Sequence, residues 1–211
     1  MTYSDFTIDN LEQNLGLKIK IGKLFVVVPT VEVPAWFQKS LSVSMSVGFH
    51  GEKARSEFFI APVLLASRDL NHEKFFLFSG QKLDADASRG LTGECDFILT
   101  HSAASPVLSS PIMTVVEAKK QDFDWGIGQC AAQMVGAQLF NQKHKEKDLP
   151  IFGCVTTGEA WQFLRLEAAA VLPATVLMDS ARYYITNVGQ ILGVLKNIVD
   201  FYEAEDVPVK S

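Results

Sequence analysis

The sequence predicts an α/β fold, a mixed central sheet flanked by helices. Three observations carry this. Short apolar runs of strand length alternate with longer segments of helical spacing. The runs at 95–100 and 114–119 are apolar enough for strands buried on both faces, yet each carries an acid. And 48% of the 211 residues are hydrophobic, ample for a folded core. The expected sheet has four to five central strands. The chain reads as one domain: an N-terminal extension over 1–50, a core over 51–167, and a C-terminal strand and helix over 168–211.

The elements follow in order. Thr7 with Asn10 and Glu12 marks a short capped helix, which Gly16 stops. Lys18 to Val28 alternates and then runs apolar, predicting one or two strands with a turn near Gly22. Pro29 and Pro34 punctuate the chain, and Ala35 to Val47 has helical spacing in Trp36, Phe37, Leu41, Val43 and Met45. Glu52 to Asn71 is a stronger helix, with Ala54, Phe58, Ala61 and Leu65 on one face, Glu57 beside them, and Pro62 set to kink it.

Phe75 to Phe78 reads as a buried strand and Gly80 to Gly93 as a polar turn. Between the two acid-bearing strands, Ser102 to Pro111 is a Ser/Pro-rich loop. Trp125 to Lys143 is a helix whose small residues Gly128, Ala131, Ala132, Gly136 and Ala137 permit close packing on a sheet. A charged turn covers Lys143 to Lys147. A hairpin follows, Phe152 to Thr157 and Trp161 to Glu167, turning at Gly158-Glu159. The stretch 168–184 reads as strand, loop and strand, and Asn187 to Glu203 as an amphipathic helix.

Composition narrows the function classes. Nineteen basic residues against 24 acidic leave a net charge of −5. A general nucleic-acid coat needs the opposite balance, because non-specific affinity rests on neutralising phosphates. Any nucleic-acid contact must therefore use a local basic patch, and Lys119, Lys120 and the Lys143 to Lys147 turn are the candidates. Cys95, Cys130 and Cys154 form an odd set without a C-x-x-C pair, as expected of buried thiols in a reducing cytosol. No run approaches the roughly 20 apolar residues of a membrane helix, and the first residues lack a signal peptide's pattern. The expectation is a soluble, cytoplasmic protein. No G-x-S-x-G elbow, P-loop or G-x-G-x-x-G fingerprint is present.

The chemistry concentrates between Gly93 and Gln133. In a strand Glu117 and Lys119 share a face. With Asp96 on a neighbouring strand, two carboxylates and an amine converge, an oxygen-rich set suited to a hard divalent cation. Gln129 and Gln133, four apart, share one face of the next helix.

This pattern resembles the PD-(D/E)xK nuclease superfamily, the restriction-endonuclease-like fold. The residues that match are Asp96, Glu117 and Lys119, with Glu57 similar to the extra acid many members carry on an earlier helix. Gln129 and Gln133 look like the polar pair on the helix after the active strand. The resemblance spans roughly 52–167; it lacks the proline that often precedes the first acid, where Cys95 stands instead.

It implies a metal-dependent nuclease acting on DNA or RNA with Mg²⁺ or Mn²⁺. Asp96 and Glu117 hold the metal, with the Ala118 carbonyl and Glu57 as further ligands. Lys119 positions or deprotonates the attacking water. Gln133 orients substrate or the Lys119 amine. Dimers are frequent in this fold, so a homodimer is expected. The alternative is a catalytically silent module of the same fold, or a subunit of a larger nucleic-acid-processing complex.

Overall fold

The computed structural model describes residues 1–102, 105–119, 123–168 and 174–206. It is a mixed α/β structure built on one sheet of eight strands: β1 (Leu17–Gly22), β2 (Phe76–Lys82), β3 (Glu94–Thr100), β4 (Ile112–Ala118), β5 (Ile151–Thr156), β6 (Ala160–Leu166), β7 (Ala174–Asp179) and β8 (Tyr183–Tyr184). The order across the sheet is β1-β7-β6-β5-β4-β3-β2, with β8 pairing to β6. The β1–β7 and β4–β5 pairs are parallel and the rest antiparallel. The sheet thus has more strands than the expected four to five. The difference lies at its flank, where β7, β8 and the N-terminal β1 continue it.

Helices cover both faces. On one lie α1 (Ile8–Leu15) and α5 (Phe123–Lys143); on the other lie α2 (Ala35–Val47), α3 (Glu52–Arg55), α4 (Ala61–Leu70) and α6 (Val188–Asp206). Two apolar clusters, one per face, hold the layers together. Every residue of β4 and β5 is buried, as expected of central strands covered on both sides.

Local chemistry explains the boundaries. The Thr7 amide donates to Asn10 Oδ1 at 3.0 Å, the reciprocal cap predicted for α1. Gly16 ends that helix in the left-handed region, at φ 65°. A π-helical turn, Ser56–Ile60, joins α3 to α4. It sits immediately before Pro62, which has no N–H to continue the i→i−4 ladder, and the Ala61 amide reaches back five residues to Ser56 O. The expected kink is therefore a widened turn within a continuous helical segment.

Two readings change. Leu24 to Val28 forms no strand; Leu24, Phe25 and Val28 pack against the α6 face instead. And 1–50 is not an appendage. Tyr3 and Phe6 lie in the core beneath α5, and β1 pairs with β7 from Leu17–Ala174 to Gly22–Asp179. The three cysteines are buried and unbridged. Among the described residues no helix is long and apolar enough to cross a membrane.

Candidate active site

One edge of the sheet gathers the beginnings of β3 and β6, the ends of β4, β5 and β7, and the start of α5. The β3–β4 register pairs Phe97 with Val116 and Ile98 with Val115. The ladder ends at the first of these pairs, and alternation breaks around Asp96: Cys95 packs in the cluster under α5, Phe97 in the cluster under α6. Glu117 turns to the α5 face, towards Gln133, whereas Asp96 lines a cleft with Ala118 beside α3.

Asp96 Oδ2 accepts the backbone N–H of Ala118 at 2.7 Å. Glu117 is 2% exposed, and both of its oxygens are engaged. Oε1 lies 2.7 Å from Lys119 Nζ, and Oε2 accepts from Gln133 Nε2 at 2.7 Å. Lys119 follows β4 directly and donates also to Gln129 Oε1, at 3.1 Å. Gly126 makes this packing feasible. A Cβ there would fall 2.6 Å from Val155 Cγ1 and 3.0 Å from Lys119 Cγ, so only glycine lets the first turn of α5 settle over the lysine.

The electrostatics follow from burial. Desolvation first, and the like charge of Asp96 second, push the Glu117 carboxyl up to about 8, against the opposing pull of Lys119 and Gln133. Burial draws the Lys119 ammonium down, but the Glu117 carboxylate more than offsets this and holds it above its ordinary value. The lysine is therefore held as a cation beside a buried carboxyl whose affinity for its proton is raised.

Asp96 and Ala118 also line a cleft of about 280 Å³, opposite Glu52, Lys53, Ser56 and Glu57, with Ser79, Gly80 and Glu94 beside them. Glu57 thus lines the same cleft as Asp96, half exposed and 3.8 Å from Lys53. A larger depression of about 450 Å³, bounded by Thr7, Ile8, Asp9, Asp124 and Trp125, holds none of the expected site residues.

Sequence reasoning passed over Glu52 and Glu94. Both were within reach: Glu94 stands two before Asp96 on one strand face, and Glu52 and Ser56 are one helical turn apart. The roles expected of the glutamines also divide differently. Gln129 contacts the Lys119 amine, whereas Gln133 contacts Glu117, and Gln133 Oε1 is buried without a hydrogen-bond partner.

The Lys143 to Lys147 turn is not part of this edge. Asn141 clasps Ile112 N and O at the start of β4, while Gln133 meets Glu117 near its end. Five residues of strand separate them, about 17 Å. Lys143 donates to Ala85 O and Lys147 pairs with Glu205. Lys120 falls outside the described residues.

The donor set suits a hard cation in kind. Two carboxylates and a carbonyl match a Mg²⁺ that keeps several waters. Among the described residues no three His, Cys, Asp or Glu side chains form a ready metal cage. Glu57 therefore stands across the cleft rather than within one ligand cluster. No family model matches the chain, and no curated protein aligns with it significantly.

Proposed function

We propose that this protein is a metal-dependent phosphodiesterase acting on DNA or RNA, with a core of the PD-(D/E)xK kind. One observation carries the reading. The Lys119 amine lies 2.7 Å from the buried Glu117 carboxylate, next in sequence to the Ala118 N–H that Asp96 accepts, and Asp96 and Ala118 line a cleft. A buried acid paired to a lysine is an expensive arrangement for stability alone. It sets carboxylate oxygens of the kind that ligate a hard cation beside a protonated amine.

In this reading Asp96, Glu117 and the Ala118 carbonyl bind Mg²⁺ or Mn²⁺. The bound cation supplies Lewis acidity towards the phosphodiester and eases the ionisation of water. The chain's own groups do the rest. The protonated Lys119 would orient the attacking water and stabilise charge on the phosphate; as the new P–O bond forms and the bond to the leaving oxygen breaks, the water's proton would pass to solvent in the cleft and the departing oxygen would take one from solvent. Gln129 holds the amine in place. Gln133 holds the Glu117 carboxylate in place through Oε2. Glu57, across the cleft, orients a water or substrate.

The test combines Mn²⁺ calorimetry with cleavage of plasmid and oligonucleotide substrates by the wild type and Glu117→Ala. The wild type binds the cation and cleaves; the variant does neither. A wild type that binds no divalent cation and cleaves no nucleic acid removes the proposal. The second reading, a silent module of a larger assembly, draws on the same geometry: Ala118 N–H, Lys119 and Gln133 already satisfy the two acids without a metal.

A further inference from the structure

The cleft sets four acids, Glu52, Glu57, Glu94 and Asp96, against the single Lys53, which lies 3.8 Å from Glu57, and the lysine turn at 143–147 lies at the far end of β4. A polyanion approaching this edge needs a cation elsewhere. The β7–β8 turn provides one. Gln162, on β6 and 4% exposed, spends its whole amide on that turn. Its Nε2 donates to Asp179 O at 2.7 Å and to Ala181 O at 3.1 Å, and its Oε1 accepts from Arg182 Nε at 3.2 Å. The guanidinium lies over the Phe123 ring, 4.3 Å from its centroid. The group is thus clamped at its Nε and along one face, while the residue itself is exposed.

Asp179, at the start of the same turn, is engaged by other partners. Asp179 accepts from Leu24 N, Ala181 N and Tyr183 Oη. Among the described residues no carboxylate pairs with Arg182, and its two Nη groups have no protein partner. A planar fork held rigid with both terminal nitrogens towards solvent is the geometry that recognises a phosphate through paired hydrogen bonds. Its rigidity matters, since little side-chain entropy remains to be lost on binding.

Its location suits the same substrate. Glu117 is in register with Val155 on β5, and Val155 with Gln162 on β6. Two strand spacings, about 10 Å, separate Glu117 from the Gln162 that positions Arg182, a span that a short stretch of one nucleic-acid strand covers.

We propose that Arg182 is a phosphate anchor for a DNA or RNA strand lying across the sheet edge, with Gln162 and Phe123 as its positioning residues. The proposal rests on the phosphodiesterase reading and adds the second point at which the strand is held.

The experiment measures anisotropy of a short fluorescein-labelled oligonucleotide, single-stranded and duplex, with Ca²⁺ present and salt varied. Full-length wild type, Arg182→Gln and Arg182→Lys are compared, and thermal unfolding checks that each is folded. Arg182→Gln lowers affinity about tenfold and reduces the slope of log affinity against log salt by about 1. Arg182→Lys keeps the slope but recovers only part of the affinity, because a point charge lacks the fork. A wild type that binds while Arg182→Gln matches it in affinity and slope overturns the anchor and leaves the phosphodiesterase reading standing. A wild type that binds neither oligonucleotide overturns both.

Discussion

Asp96 and Ala118 are tied across the β3–β4 pair: the aspartate's Oδ2 takes the alanine's backbone N–H at 2.7 Å. This fixes one carboxylate against the backbone that the other, Glu117, precedes by a single residue. Asp96 is thereby tied to the strand position next to Glu117. Asp96→Asn keeps an acceptor for that N–H while removing the charge. It should preserve the fold, relieve Glu117 of a like charge and bring its raised pKa down, and abolish divalent-cation binding. Carboxyl titration by NMR and Mn²⁺ calorimetry read the two effects separately.

Lys119→Ala tests the division of labour in the site. An ammonium has no lone pair to offer a metal, so the variant retains Mn²⁺ binding, tightened by loss of a nearby positive charge. Cleavage falls by about 10² to 10⁴, the usual worth of one acid–base or electrostatic contribution. A variant that cleaves as well as the wild type refutes the role given to the lysine.

Under the proposed metal-binding role, Glu117 should make stability and cation affinity respond oppositely to pH. Its folded carboxyl titrates at about 8, above the unfolded value of 4.5. Between these values the folded state holds a proton the unfolded state has lost, so the metal-free protein loses stability as pH rises through that window and regains it on acidification. Divalent cations compete with the same proton, so Mn²⁺ affinity rises with pH up to about 8. Thermal melts of wild type and Glu117→Gln across this range should converge at low pH and diverge at high pH, the wild type becoming the less stable. Parallel melting curves would rule out Glu117 as the titrating group.

Tyr3 and Gly136 form a pair in the α5 face of the core. The Tyr3 hydroxyl is buried with no hydrogen-bond partner, and a Cβ on Gly136 would fall 2.1 Å from it. Gly136→Ala should destabilise by about 1–3 kcal/mol through overpacking. Tyr3→Phe removes an unsatisfied polar atom at little cost and should restore part of the loss when the two are combined. Urea denaturation of the two single variants and the double variant gives the coupling; additive effects would show that the contact is relieved elsewhere.

Much of this architecture was legible because local rules and tertiary packing agree. The Thr7–Asn10 cap and the Gly16 stop delimit α1, and the unbroken apolar character of Val115-Val116 marks a central strand despite Glu117. Period-two alternation also anticipated that Glu117 and Lys119 meet. What escaped depends on partners distant in sequence. Leu24 to Val28 has a strand's composition, yet its apolar side chains pack on the helix layer rather than joining a ladder. Lys143 and Lys147 look like a cationic patch in one dimension, but Ala85 and Glu205 claim them at the far end of β4. Arg182 stands in an unremarkable turn, and its orientation comes from Gln162 and Phe123, neither of which advertises that task.

The parallel pairing of β1 with β7 has a consequence for how the chain acquires its shape. Leu17 pairs with Ala174, far later in the chain, so β1 cannot dock until β7 has been made. Until then the β6 side of the nascent sheet is an open hydrogen-bonding margin. Afterwards β1 becomes the margin, with Lys18 and Lys20 projecting from it, charges that discourage a second sheet from adding on. Joined to the sheet through β7 alone, β1 should have amides among the first in the sheet to exchange with deuterium when the native protein breathes.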